Sequence, residues 1–368
     1  MALIQLTNIT KNFEEIVALD HINLSVEDGE YLCILGPTGA GKTTLLRIIA
    51  GLLDPGQGTI HIAGNLMNTR PPEERDTVYM FQQYALFPHM NVWDNVSFSP
   101  TIKDWTPEKV KEITAEVLEM VRLTDRADAL PNELSGGMQQ RIALARGIAS
   151  GARILLLDEP LGALDARLRI TIRSQLRKLV KDQKLTAIHV THDQEEALMI
   201  ADRIAVLREG KIEQIGSPHE IYAKPRSIFV TSFVGGANFL EGYVSTTEKE
   251  ETRIEIRGGF DLYVRNAEKA SGERIIVAFR REDTTVSSTH SDGRNSFHGR
   301  VDSAMFIGGS MEYQIRLEND IIVSSKILLS DTSRPFRRGE HVVVSFPVDK
   351  CHLFAYPERG LLKEIEAI

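Results

Sequence analysis

Four short apolar runs, at 31–35, 154–157, 186–190 and 204–207, are β-branched or Leu-rich, the pattern of strands buried on both faces. Segments with helical spacing lie between them, so the first part of the chain reads as α/β with a largely parallel sheet. The segment 106–122 interrupts this alternation. Thr106 stands as an N-cap, Pro107 takes the first helical position, and Val110, Ile113, Val117 and Met120/Val121 fall on one face. With a further helix expected from Met138 onward, the pattern predicts a mainly helical insert over about 88–150.

The character changes after Pro225. Arg253-Ile254-Glu255-Ile256-Arg257 alternates polar and apolar, and after Gly258-Gly259 the alternation continues through Phe260, Leu262 and Val264, a two-residue hairpin signal. The tail also repeats itself: Gly272-Glu273-Arg274-Ile275-Ile276-Val277-Ala278-Phe279 aligns with Gly339-Glu340-His341-Val342-Val343-Val344-Ser345-Phe346. From about 236 onward short strands and turns are expected, arranged as two related small barrels with the polar segment 287–298 as the loop between them. The chain is thus divided into a domain over 1–235 and a second over 236–368.

A length of 368 residues suits two hydrophobic cores rather than one. The formal net charge of −8 argues against a nucleic-acid partner, which demands a basic face. No apolar run approaches the roughly 20 residues needed to cross a bilayer. Polar residues between Met1 and Phe13 replace the apolar centre of a signal peptide. The expectation is a cytosolic protein whose membrane association runs through a partner. The two cysteines, Cys33 and Cys351, have no neighbour at metal-ligand spacing, and Cys33 reads as a buried small hydrophobe.

The sharpest chemical signal is Gly36-Pro37-Thr38-Gly39-Ala40-Gly41-Lys42-Thr43, which follows one expected strand and precedes a helix-like run from Thr44 to Ala50. In that context successive backbone N–H groups and a helix N-terminus surround an anion, and glycines let the backbone come close to phosphate. Lys42 would reach the β- and γ-phosphates of ATP, and the Thr43 hydroxyl would coordinate Mg²⁺. Ile154-Leu155-Leu156-Leu157-Asp158-Glu159 supplies a buried strand ending in two acids. Asp158 is placed to hold Mg²⁺, and Glu159 to polarise the attacking water.

Leu134-Ser135-Gly136-Gly137-Met138-Gln139-Gln140-Arg141 resembles the signature sequence of ABC ATPases, with Met138 where that family most often has Gln. Ser135 as an N-cap followed by Gly136 and Gly137 presents free N–H groups at a second helix start. The resemblance implies that the signature of one subunit closes over the phosphate loop of another, giving two composite sites in a head-to-tail dimer. Other segments resemble the family's remaining motifs in order. Phe81-Gln82-Gln83 is similar to the glutamine loop, which gives Gln82 a role at Mg²⁺ or the water. Leu161-Gly162-Ala163-Leu164-Asp165 is similar to the dimer-contact loop, with Asp165 at the nucleotide interface and Gly162 where Ser is commoner. Val190-Thr191-His192-Asp193 is similar to the switch-histidine motif, so that His192 would bond the γ-phosphate and orient Glu159. Phe13 matches the aromatic that stacks on adenine, and Thr44 closes the phosphate loop.

The resemblance spans the chain. Residues 1–235 resemble the ABC nucleotide-binding domain, and the tail resembles the paired oligonucleotide/oligosaccharide-type barrels (the TOBE region) of importer ATPases. Ala278-Phe279-Arg280-Arg281-Glu282-Asp283 and the closing 343–349 with Leu353-Phe354 look closer to the polyamine and ferric-iron group than to the molybdate group. The fold implied is an α/β P-loop NTPase domain followed by an all-β pair of OB-like barrels. The function implied is an ATP-hydrolysing importer motor for polyamine or ferric iron, with sugar or oxyanion import as the alternative substrate class. Its partners would be a second copy, two membrane permease subunits and, indirectly, an extracytoplasmic solute-binding protein. It would sit at the cytoplasmic face of the membrane, with Phe87, Pro88 and Met90, in the stretch from Tyr84 to Val92, receiving a permease helix. A competing class, a soluble ABC ATPase with an RNA-binding tail, is disfavoured by the single cassette and by a tail with few interleaved aromatic and basic residues.

Overall fold

A computed structural model describes residues 2–81, 85–162, 165–247, 250–256, 258–265, 269–289, 293–329 and 334–366. Gln82, Gln83 and Tyr84 of the glutamine loop, Ala163 and Leu164 of the dimer-contact loop, and Arg257 lie outside the described residues. By its contacts the chain separates into two units, residues 1–224 and 225–367.

The first unit opens with β1 (Ala2–Phe13), β2 (Ile16–Glu27) and β3 (Tyr31–Leu35), then α1 (Lys42–Ala50), β4 (Gln57–Ile62), β5 (Asn65–Leu66) and β6 (Thr77–Met80). The helical insert follows as α2 (Val92–Ile102), α3 (Pro107–Met120) and α4 (Gly136–Ala149). The chain then runs through β7 (Ile154–Asp158), α5 (Ala166–Asp182), β8 (Thr186–Thr191), α6 (Gln194–Ile200), β9 (Arg203–Arg208), β10 (Lys211–Gly216) and α7 (Pro218–Ala223).

All four apolar runs become strands of one sheet, in the order β10-β9-β3-β8-β7-β6, parallel except where β10 meets β9. Every residue of β3 and β7 is buried, as parallel strands covered on both faces require. A second, antiparallel sheet, β2-β1-β4-β5, was not anticipated. Its inner residues, among them Ile4, Leu6, Ile9, Ile22 and Ile60, share one core with Leu32, Ile34, Leu156 and Ile188 of the parallel sheet. Helix α1 lies in this core with Leu45, Leu46, Ile48 and Ile49 all buried. A short helix with six of its nine residues buried holds the phosphate loop that precedes it firmly, because its position is set by packing rather than by propensity.

The insert is helical as expected, and each helix starts on a side-chain cap: Asn91 accepts from Asp94 N, Thr106 from Lys109 N and Ser135 from Met138 N. The buried stripe of the α3 region is Thr114, Val117, Leu118 and Val121, while Val110, Ile113 and Met120 are only half-buried.

The second unit holds α8 (Ile228–Phe233), then β11 (Ala237–Thr247), β12 (Glu251–Ile256), β13 (Phe260–Arg265), β14 (Arg274–Arg280), β15 (Thr285–Ser287), β16 (Ser296–Ile307), β17 (Ser310–Leu317), β18 (Ile322–Leu328), β19 (His341–Ser345), β20 (His352–Ala355) and α9 (Leu361–Ile365). They form two antiparallel sheets, β13-β12-β11-β14-β20 and β15-β19-β16-β17-β18. Two details depart from expectation. Ile256 pairs with Phe260, which leaves three residues between the paired positions rather than the two of a two-glycine turn. Residues 296–298 begin β16, which shortens the polar loop. The two halves of the sequence repeat become β14 and β19, each paired on both sides in its own sheet. Their terminal rings, Phe279 and Phe346, stack with centroids 3.9 Å apart and planes at 11°, and one hydrophobic cluster spans both sheets.

Candidate functional site

The buried strand β3 delivers the chain to Gly36 and the buried helix α1 receives it at Lys42, so the loop between them is clamped at both ends. Its glycines answer to backbone crowding. A Cβ on Gly36 would lie 2.3 Å from Leu207 O. Gly41 takes φ 99° and a Cβ there would lie 2.4 Å from Ala18 O. Gly41 also occupies the N-cap of α1 without a side-chain cap, which leaves the first-turn amides and the positive end of the helix dipole for an anion.

Lys42 Nζ donates to Gly36 O and Pro37 O, both at 2.8 Å, spanning its own loop. Burial lowers its pKa, and the charges of Glu159 and Asp158 oppose that shift. Thr43 Oγ1 donates to Asp158 Oδ1 at 2.9 Å, which ties α1 to the end of β7. The other carboxylate oxygen, Oδ2, accepts from the Tyr79 hydroxyl at 2.7 Å.

Glu159, immediately after β7, holds a left-handed backbone at φ 50°. Its N–H donates to Val190 O at 3.0 Å, and its carbonyl accepts from Gln140 Nε2 at 3.2 Å. Its side chain lies 3.0 Å from His192 Nδ1. His192 is exposed, but the turn beneath it is braced. Thr191 Oγ1 donates to Glu196 Oε2 at 2.6 Å, Asp193 N to Thr191 Oγ1 at 3.0 Å, and Arg173 Nη2 to Asp193 Oδ2 at 2.5 Å.

These groups meet around one cavity of about 440 Å³, lined by Thr38, Gly39, Gly41, Lys42, Thr43, Thr44, Glu159 and His192. Phe13, with Ile16 and Val17 from the neighbouring strand, lines it too; Phe13 is 46% exposed, so its ring offers an open apolar face. Asp158 joins through Thr43. Gly36, Pro37 and Ala40 belong to the loop but do not line the cavity.

Ser135, Gly136 and Gly137 stand at the start of α4 and do not line it either. Ser135 and Gly136 are exposed, and Ser135 Oγ accepts from Met138 N at 3.4 Å. Asp165, also exposed, caps α5 by accepting from Leu168 N at 2.9 Å. Gln82 lies outside the described residues.

Three residues escaped the sequence reading. Tyr79 reaches Asp158 from the adjacent strand, and Gln140 reaches the Glu159 carbonyl from α4. Asn95, fully buried in α2, accepts from Phe87 N at 2.9 Å and donates to Phe87 O, Met90 O and Asn91 O at 2.9–3.1 Å. It shapes the segment singled out as the permease groove, where Arg146 also donates to Ala85 O at 2.9 Å. No local pattern marks Asn95: its burial, which requires partners, is a property of the fold.

A model of the ABC transporter family matches residues 19–162, and one of the TOBE domain matches residues 277–354. A spermidine/putrescine import ATP-binding protein (PotA) from Trichormus variabilis is 41% identical over 325 residues, covering 87% of this chain and 85% of that protein. The protein of the same name from Pseudomonas aeruginosa is 36% identical over 356 residues, covering 95% and 98% respectively. Among solved structures, the dimeric post-hydrolysis state of the ATP-binding cassette MJ0796 bound to ADP and Pi has a TM-score of 0.54 at 35% identity, covering 58% of this chain and 98% of that one.

Proposed function

The chain belongs to the ATP-binding proteins of ABC importers and hydrolyses ATP, and we propose that it powers polyamine uptake as a head-to-tail pair mounted on two membrane permease subunits. The observation that carries the paired reading is a division of labour. The phosphate loop, Glu159 and His192 share one cavity, whereas the anion-ready helix start at Ser135, Gly136 and Gly137 lies off it. A second copy would bring that helix start to the γ-phosphate, with Asp165 near the same seam.

Within one site, Lys42 and the α1 amides hold the phosphates and Phe13 stacks on adenine. Glu159 takes the proton of the attacking water, and His192 orients Glu159 and contacts the γ-phosphate. The Thr43 hydroxyl and Asp158 carboxylate, 2.9 Å apart, are the hard oxygen donors that Mg²⁺ prefers, and Gln82 would complete the set. When bound, Mg²⁺ neutralises charge on the β- and γ-phosphate oxygens.

Polyamine is favoured over ferric iron by the relatives, which are named for spermidine/putrescine import. Among the described residues no helix is long and apolar enough to cross a membrane. The permease would hold the chain at the cytoplasmic face, in contact with Phe87, Pro88 and Met90 in the stretch from Tyr84 to Val92. An extracytoplasmic binding protein would select the solute. The test is reconstitution with the cognate permease subunits in proteoliposomes. Spermidine-loaded binding protein should stimulate ATP hydrolysis and spermidine uptake. Stimulation by ferric iron or a sugar instead would overturn the substrate, and failure to co-purify with permease would overturn the transport role.

A further inference from the structure

Asp158 is 2% exposed, and a buried carboxylate is tolerable only when its oxygens have donors. Thr43 serves Oδ1, and the Tyr79 hydroxyl serves Oδ2 at 2.7 Å. Tyr79 comes from β6, whose parallel register sets it opposite Leu156, two residues before Asp158. Its ring is held independently of this bond: it packs against the core and lies 4.7 Å from the Phe81 ring.

One hydrogen bond leaves a carboxylate free to rotate about its Cβ–Cγ bond. Two, on different oxygens and from two fixed elements, set its plane. We propose that Tyr79 is a positioning residue for the Mg²⁺ site, its hydroxyl pinning Oδ2 so that Asp158 presents its remaining lone pairs in one orientation beside Thr43. This rests on the reading that Thr43 and Asp158 take the cation. Outer partners of metal-binding carboxylates typically contribute on the order of ten-fold or more in metal affinity.

Tyr79→Phe keeps the ring and deletes the hydroxyl, which removes the donor to Asp158 and also the contact with the Arg47 side chain. Mn²⁺ affinity of the full chain bound to a non-hydrolysable ATP analogue is measured by electron paramagnetic resonance, beside nucleotide affinity in EDTA, with Asp158→Asn as the reference. Tyr79→Phe should weaken Mn²⁺ binding on the order of ten-fold and leave metal-free nucleotide affinity unchanged. Unchanged or tighter Mn²⁺ binding, with Asp158→Asn still weakening it, overturns the role of Tyr79 alone. A parallel loss of metal-free nucleotide affinity overturns it as well, since that marks general damage to the site. If Asp158→Asn also leaves Mn²⁺ binding intact, the assignment of the metal site fails with it.

Discussion

Glu159 Oε1 and His192 Nδ1 lie 3.0 Å apart, at the ends of adjacent parallel strands. A non-glycine residue at φ 50° is strained, and such strain persists only where the surroundings over-determine it. Here Val190 O and Gln140 Nε2 hold the backbone of Glu159 while His192 meets its carboxylate. The acid is fixed at both ends, which suits the proposed role of a base acting on a water at a set place.

Glu159→Gln preserves shape and deletes basicity. ATP affinity should persist while turnover falls about 10²–10⁴-fold, the usual worth of a positioned general base. With hydrolysis blocked, size-exclusion chromatography in ATP should show a persistent dimer. His192→Ala should also lower kcat, yet add little to the loss in the Glu159→Gln background, because the two act as a unit. An undiminished rate for Glu159→Gln would reassign the base.

Gly41→Ala and Gly39→Ala separate dihedral strain from crowding. Both glycines have positive φ, 99° and 81°, but an added Cβ meets Ala18 O at Gly41 and nothing within 4 Å at Gly39. Gly39→Ala should cost roughly 1–2 kcal/mol of stability, from dihedral strain alone, and weaken nucleotide binding less than Gly41→Ala does. Gly41→Ala must displace backbone at the mouth of α1 and should lose nucleotide binding in an equilibrium titration. Equal effects of the two substitutions would remove crowding from the account.

How much of this was legible beforehand follows from locality. The parallel strands announce themselves as continuous apolar runs, and the phosphate loop, Asp158-Glu159 and His192 are defined by short contiguous patterns. The antiparallel sheet hides better. Ile22, Leu24 and Val26 do alternate with polar residues, but β1 pairs with β2 through register shifts between Leu6 and Ile9 and again towards Lys11, which break the period of two. Tyr79 and Gln140 act on residues 79 and 19 positions away, through strand order and a helix approach that no local pattern encodes. The second helix start at Ser135 was legible as a cap, but its distance from the cavity is a property of the folded unit alone.

The repeat in the second unit predicts a shared dependence. Phe279 is fully buried and stacks on Phe346, so Phe279→Ala removes a ring on which both sheets pack. Loss of the ring plus the cavity left behind should cost about 3–5 kcal/mol. Hydrogen exchange should accelerate in β14 and β19 together. Exchange confined to β14 would mean that the two sheets do not share one cooperative core.

The last prediction concerns pH and His189, which is fully buried on β8, three residues before His192. Its Nδ1 is 3.0 Å from the Tyr31 hydroxyl, while Nε2 is 3.6 Å from Glu196 Oε1, beyond hydrogen-bond reach. Burial is the largest cause of its lowered pKa; Arg173 lowers it further, and Glu196, Asp193 and Glu159 oppose. The unfolded chain takes up this proton near its ordinary value of about 6.5, whereas the folded chain does so only at lower pH. Between those values the unfolded state binds more protons, so stability rises with pH, and the contribution present above about 6.5 is lost as pH falls. His189→Phe fills the same space and leaves the Tyr31 hydroxyl unpaired, costing about 1–3 kcal/mol at every pH, but it carries no such slope. Both tryptophans, Trp93 and Trp105, belong to the first unit, so their fluorescence reports its urea unfolding. The stability difference between the native chain and His189→Phe should narrow steadily from pH 7 to pH 5, and a constant difference would show that His189 does not titrate between the two states.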